Sequence, residues 1–270
     1  MRKILLLMCV LVLSVTAFAD PFIGFSANGK YLAYETSEYG GDAWDYEREV
    51  TYFVDTVKNS LAVAPSVYDW DQDKPEKLKP ILYTRYKKNV ALKMKKFGIV
   101  RGNLGFLVVS HLLYDWSYTK PVESLGRFTQ PDGTEIKKMM PDYEGGYVPK
   151  DGGFSEKIIF NPDPDPDNFV FSTSKFYALT LNVIQIQSGE NEGDYKIELT
   201  LKDHTKNRDI PRQILQKDSN ELPKSRQGVR AYKIERVYVY SNKIAVVINV
   251  FGPNFEGQHI SSMVVTGEMK

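Results

Sequence analysis

The amino-acid sequence predicts a mostly β protein of the α+β class: antiparallel sheets interrupted by one long, amphipathic, basic helix. Three observations carry that expectation. Asn28-Gly29 stands between two short aromatic-rich runs, the pattern of a tight hairpin. Tyr195, Ile197, Leu199 and Leu201 alternate with Lys196, Glu198, Thr200 and Lys202, the period of a strand with one wet face. Between these segments, Leu78, Leu82, Val90, Met94 and Phe97 recur at helical spacing.

The chain opens with Arg2 and Lys3, continues with an apolar run from Ile4 to Phe18, and reaches the small-x-small sequence Ala17-Phe18-Ala19. Residues 1–19 therefore read as a signal peptide, cleaved before Asp20. The apolar run falls short of the roughly twenty residues that cross a bilayer, so no transmembrane anchor is expected after cleavage. Cys9, the only cysteine, leaves with the signal; the mature chain of 270 − 19 = 251 residues has no thiol chemistry and depends on its core. Losing Arg2 and Lys3 leaves 35 − 2 = 33 basic against 34 acidic residues. Such a balance argues against a nucleic-acid partner, which demands a basic face.

The N-terminal region, residues 20–150, begins with the hairpin. Phe22, Ile23 and Phe25 approach Asn28-Gly29, and Tyr31 to Tyr34 leave it; a type I′ turn, with positive φ at both central residues, is expected. A third strand over Thr51 to Thr56, closed by Lys58-Asn59, would complete a small meander. The helix is expected near residues 77–97, with Gly98 as its stop. Asp73 and Glu76 have capping-box spacing, whereas Pro80 suits the first turn of the regular part. Lys77, Lys79, Arg85, Lys87, Lys88, Lys93, Lys95 and Lys96 read as its exposed face. That face suits either plain solvation or peripheral contact with an anionic surface such as lipid headgroups or an anionic wall polymer.

Residues 141–153, rich in glycine and proline, mark the boundary to a C-terminal antiparallel β-sheet region, residues 154–270; the two regions are compatible with one compact domain. Near 177–187 the alternation changes phase between Val183 and Ile184, where a bulge would return both halves to one buried face. Residues 244–251, IAVVINVF, are apolar on both faces and read as a central strand. With Tyr232 to Tyr240 and Ser262 to Thr266, they complete an expected sheet of about five strands.

GFSANGKYLAYE, Gly24 to Glu35, resembles a single repeat of the TolB-type β-propeller, which implies a propeller-like N-terminal hairpin. Tyr68-Asp69-Trp70 recurs as Tyr114-Asp115-Trp116 at a separation of 46 residues, close to one blade. Taken with the basic helical segment, Tyr232-Lys233-Ile234, VVINVFGPNFEG and the final VVTG, the mature chain resembles a bacterial family of predicted secreted proteins of unknown function. Phe251 to Gly257 is the most specific of these pieces. The resemblance implies export and a composite fold, and it brings neither an activity nor catalytic residues.

No familiar constellation for catalysis emerges from the residues themselves, and no cofactor or metal is expected. Ser26 lacks the spacing of a nucleophile elbow. Ser117/Lys120 and Ser172/Lys175 match S-x-x-K without its companion motifs. Asp69, Asp71 and Asp73 occupy the first three EF-hand positions, but Lys74 replaces the required glycine and Pro80 the closing glutamate. Asp163, Asp165 and Asp167 form a second such ladder, stiffened by proline. His111, His204 and His259 stand at no metal-ligand spacing.

Recognition is the chemistry that remains. Trp44, Trp70 and Trp116, beside Asp45, Asp69 and Asp115, lie in segments that read as loops; indoles stack on flat faces while carboxylates accept hydroxyl hydrogen bonds. They are the expected ligand-binding residues, for a glycan, a peptide or an envelope protein. The functional expectation is an exported cell-envelope protein, periplasmic or extracellular, with a non-catalytic binding or scaffold role. A secreted glycan or peptide hydrolase is the alternative.

Overall fold

The computed structural model describes residues 22–40, 46–110, 139–141, 147–149, 153–162, 176–186, 194–204, 212–223, 226, 228–229, 231–254 and 257–270. The mostly β expectation holds: among the described residues twelve strands form three four-stranded antiparallel sheets, and a two-stranded hairpin adds to them.

The first sheet is the meander β1 (Phe22–Phe25), β2 (Tyr31–Gly40), β3 (Tyr46–Asp55) and β4 (Ser60–Asp71), in that order. Its first turn is not type I′, because Gly29 has positive φ (67°) and Asn28 does not. The turn spans Ser26 to Gly29, closed by the Gly29 N–H on the Ser26 carbonyl at 2.8 Å. Asn28 acts through its side chain instead: Oδ1 accepts from Ser26 Oγ (2.8 Å) and from the Lys30 N–H (3.1 Å). β4 is a fourth strand that the sequence hid, and it takes Tyr68, Asp69 and Trp70 out of the expected loop.

A 3₁₀ turn, Glu76–Leu78, leads into α1 (Lys79–Phe97), which has Pro80 in its first turn and no side-chain cap. Gly98, left-handed at φ 63°, ends the helix as expected and donates its N–H to the Lys95 carbonyl. Tyr86 and Val90 are buried, and Leu82, Met94 and Phe97 pack beside them.

β5 (Phe106–Ser110) follows. The short hairpin β6 (Met139–Pro141) and β7 (Tyr147–Pro149) puts regular structure into the glycine- and proline-rich stretch. The remaining strands are β8 (Gly153–Phe160), β9 (Tyr177–Gln185), β10 (Tyr195–Asp203), β11 (Gln213–Lys217), β12 (Ala231–Tyr240), β13 (Lys243–Asn254) and β14 (Gly257–Glu268). They do not make one five-stranded sheet. One sheet runs β11-β10-β9-β8 and the other β14-β13-β12-β5, so β5 joins the C-terminal strands by pairing with β12. The expected bulge at Val183 is absent: Ile184 follows in register opposite Lys196 and is 42% exposed. β9 therefore keeps one phase and leaves an isoleucine on its outer face.

The layers stack in the order β8–β11 sheet, β5/β12–β14 sheet, β1–β4 sheet, α1. The first junction is the largest core, where Ile158, Leu179, Leu181, Ile197 and Leu199 meet Ile234, Val237, Ile244, Val246 and Ile248. The second joins Phe22, Phe25, Leu32 and Tyr34 to Tyr238, Ala245, Val247 and Val264, with Phe22 stacked on Tyr238 at 4.6 Å. The third seats α1 on Ala33, Phe53, Tyr68 and Trp70. β13 thus alternates between two cores, which explains its apolar character on both faces.

Candidate functional site

The inner face of α1 meets a row of carboxylates. Glu47 and Glu49 stand two residues apart on β3, hence on one face, and Glu35 lies opposite Thr51 in the β2–β3 register. Lys79 Nζ donates to Glu47 Oε1 at 2.5 Å and lies 4.3 Å from the Trp70 ring centre. Lys87 Nζ reaches Glu49 Oε2 at 3.2 Å and Glu35 Oε1 at 3.9 Å. Below them the Thr51 and Tyr86 hydroxyls share a hydrogen bond of 2.7 Å, and Tyr68 donates to Glu47 at 3.2 Å.

Burial pushes the Tyr68 hydroxyl up to about 12, helped by the Glu47 charge. Burial also raises Tyr86 and Glu49; Lys87 opposes the shift at Glu49 without cancelling it. Each of these carboxylates bonds a lysine or a hydroxyl under the helix, so the cluster fastens α1 to the sheet. The sequence places Lys79, Lys87 and Lys93 on the exposed face. They point back to the sheet instead, Lys93 bonding the Ala64 carbonyl at 2.8 Å.

Of the expected ligand-binding residues, the structure describes two. Trp70 is buried at 9% exposure beneath α1, and its Nε1 has no hydrogen-bond partner among the described residues. Asp69 is exposed and shares Lys74 with Asp71, at 3.4 and 3.0 Å. Trp44, Asp45, Asp115 and Trp116 lie outside the described residues, as do His111 and the Asp163–Asp167 ladder. His204 is exposed beside β10.

With three lysines turned inward, the outer face of α1 is left to Arg85, Lys88, Lys95 and Lys96, none of which pairs with a carboxylate among the described residues. Among them stand Ile81 and Leu92, 61% and 60% exposed. Pro80, Ile81, Thr84, Arg85 and Lys88 line a shallow groove there. Residues 81, 85, 88 and 92 follow one helical stripe about 16 Å long. The sequence had signalled its cations but not its two apolar residues, although their spacing of eleven was available as a signal.

A layered antiparallel β protein with one surface helix, and no described helix long and apolar enough to cross a membrane, is the class defined here. Within that class the chain belongs to the predicted secreted protein family DUF2259, whose family model matches residues 51–268. Comparison with curated proteins and with solved structures found no match.

Proposed function

We propose that this exported protein is a non-catalytic binding protein of the cell envelope, in the periplasm or outside the cell, and that α1 seats it on an anionic lipid surface. The observation that carries the reading is the division of charge on α1. Lys79 and Lys87 are neutralised by Glu47, Glu49 and Glu35, while Arg85, Lys88, Lys95 and Lys96 face outward without acidic partners among the described residues. At about 1 kcal/mol per cation near an anionic membrane, four contribute about 4 kcal/mol. Exposed Ile81 and Leu92 favour lipid over a charged polymer, because apolar side chains gain by entering the acyl boundary and gain nothing from a polyanion.

The test is co-sedimentation of the mature protein with phosphatidylglycerol–phosphatidylcholine vesicles and with phosphatidylcholine alone. Binding to the anionic vesicles only, weakened by salt and by Arg85→Glu/Lys88→Glu and reduced by Leu92→Ser, is expected. Equal partition on both vesicle types, or anionic binding indifferent to Leu92→Ser, would refute a lipid contact; the second result would favour a purely ionic polymer contact.

A further inference from the structure

A second surface lies three layers away, on the outer face of the β8–β9–β10 sheet. Register places Lys157, Thr180 and Thr200 side by side on that face. Ser155 is opposite Asn182, and Ala178 is opposite Lys202. The middle strand thus offers only short side chains, Ala178, Thr180 and Asn182, while lysines rise from the strands on either side. The result is a groove with a low floor and cationic walls, joined by His204 and Arg212. Its volume is about 320 Å³, near the lower end of the roughly 300–1,000 Å³ of small-molecule sites.

Three features point to the ligand. Among the described residues no carboxylate lines the groove, Glu198 on the same face being paired with Lys217 at 3.2 Å, and Lys157, Lys202 and Arg212 make no ion pair. Three like charges gathered on one face repel one another unless an anion comes between them. Thr200 is only 4% exposed, yet its hydroxyl has no hydrogen-bond partner among the described residues. That hydroxyl is not sealed from solvent; it opens onto the groove, where it can donate to or accept from a ligand. Finally, Ser155 Oγ donates to Asn182 Oδ1 at 2.9 Å, which fixes the amide and leaves its Nδ2 donors for another acceptor.

We propose that this groove binds a phosphate monoester of about monosaccharide size. A phosphate monoester carries −1.5 to −2 charges near neutral pH, roughly, and three acceptor oxygens. These match a wall of two lysines and an arginine, with hydroxyl and amide donors below. A neutral sugar fits less well, since its hydroxyls also need acceptors and no carboxylate among the described lining residues supplies them. The inference is independent of the helix face, because the central sheet and the β1–β4 sheet separate the two surfaces.

The experiment is calorimetric titration of the full mature chain with glucose 6-phosphate, and with glucose and sulfate as comparators. Glucose 6-phosphate is expected to bind at least tenfold more tightly than either comparator. Lys157→Gln and Lys202→Gln should each weaken it about tenfold, and the near-isosteric Thr200→Val several-fold. Unfolding midpoints confirm that each variant remains folded, and vesicle binding through α1 should be unchanged. Absence of binding by the folded wild-type protein would overturn the proposal. So would equal affinity for sulfate, or wild-type affinity in both lysine variants.

Discussion

Asn59 is the residue through which the turn between β3 and β4 grips both other sheets, and replacing it should cost far more than an ordinary turn substitution. Its Nδ2 donates to the Leu215 carbonyl (3.0 Å) and Gln216 Oε1 (2.9 Å) on β11. Its Oδ1 accepts from the Thr266 N–H (2.8 Å) and Thr266 Oγ1 (3.2 Å) on the edge strand β14. Thr266 is 1% exposed, so Asn59→Ala strands a buried N–H, at about 1–3 kcal/mol. The other bonds, exchanged in part for water, add about 1 kcal/mol together. Asn59 also has φ of 49°, where alanine is about 1–2 kcal/mol worse off.

The expected loss is therefore about 3–6 kcal/mol, a large share of the 5–15 kcal/mol typical of a folded protein. Asn59→Gly removes the same bonds but relieves the backbone, and should recover about 1–2 kcal/mol relative to alanine. Urea unfolding followed by tryptophan fluorescence, with the slope checked for constancy, measures both. A loss below about 1 kcal/mol for Asn59→Ala would refute the argument that this amide bridges the sheets. Equal loss in the glycine and alanine variants would refute the backbone part.

Further outcomes follow from buried polar groups. The Asp218 carboxylate accepts from Arg226 (2.8 and 2.5 Å), from the Ile197 N–H (2.7 Å) and from Gln216 (2.8 Å), and its side chain is 5% exposed. Asp218→Asn should cost about 3–5 kcal/mol by leaving Arg226 buried without its counter-charge. Burial alone would raise this carboxyl, but its bonds to Arg226, Ile197 and Gln216 hold it below the ordinary value of 3.8. Its contribution is then complete above that value and lost as pH falls through the lower folded one, so urea midpoints should drop more steeply below pH 3.8 in the wild type than in Asp218→Asn. Tyr86→Phe should cost about 1 kcal/mol by removing the 2.7 Å bond of buried Thr51 and leaving it only the longer one to Glu35 at 3.4 Å. Hydrogen exchange should quicken in α1 before β13.

The sequence by itself determined the elements whose cause is local. Alternation along 195–202 and the doubly apolar run 244–251 mark strands because side chains in a strand point to opposite faces in turn. Gly98 ends α1 because a left-handed residue there is nearly free for glycine. β4 was hidden because SLAVAPSVYDWD mixes exposed Leu61 and Val67 with buried Tyr68 and Trp70, and its proline reads as a turn. An edge strand carries a weaker pattern, since only part of it is covered.

Tertiary structure alone decided which sheet each strand joined and which way each long side chain turned. β5 pairs with a strand more than a hundred residues away, and no local period encodes that choice. Trp70 became a core residue because α1 lies across β4; the same indole on an uncovered sheet would be a surface platform. Lys79 and Lys87 turned inward because Glu47 and Glu49 wait on β3, whereas Arg85 and Lys88, from the same basic run, meet no carboxylate among the described residues. Charge can be counted in a sequence, but its availability to a partner depends on which counter-charges folding brings within a few ångströms.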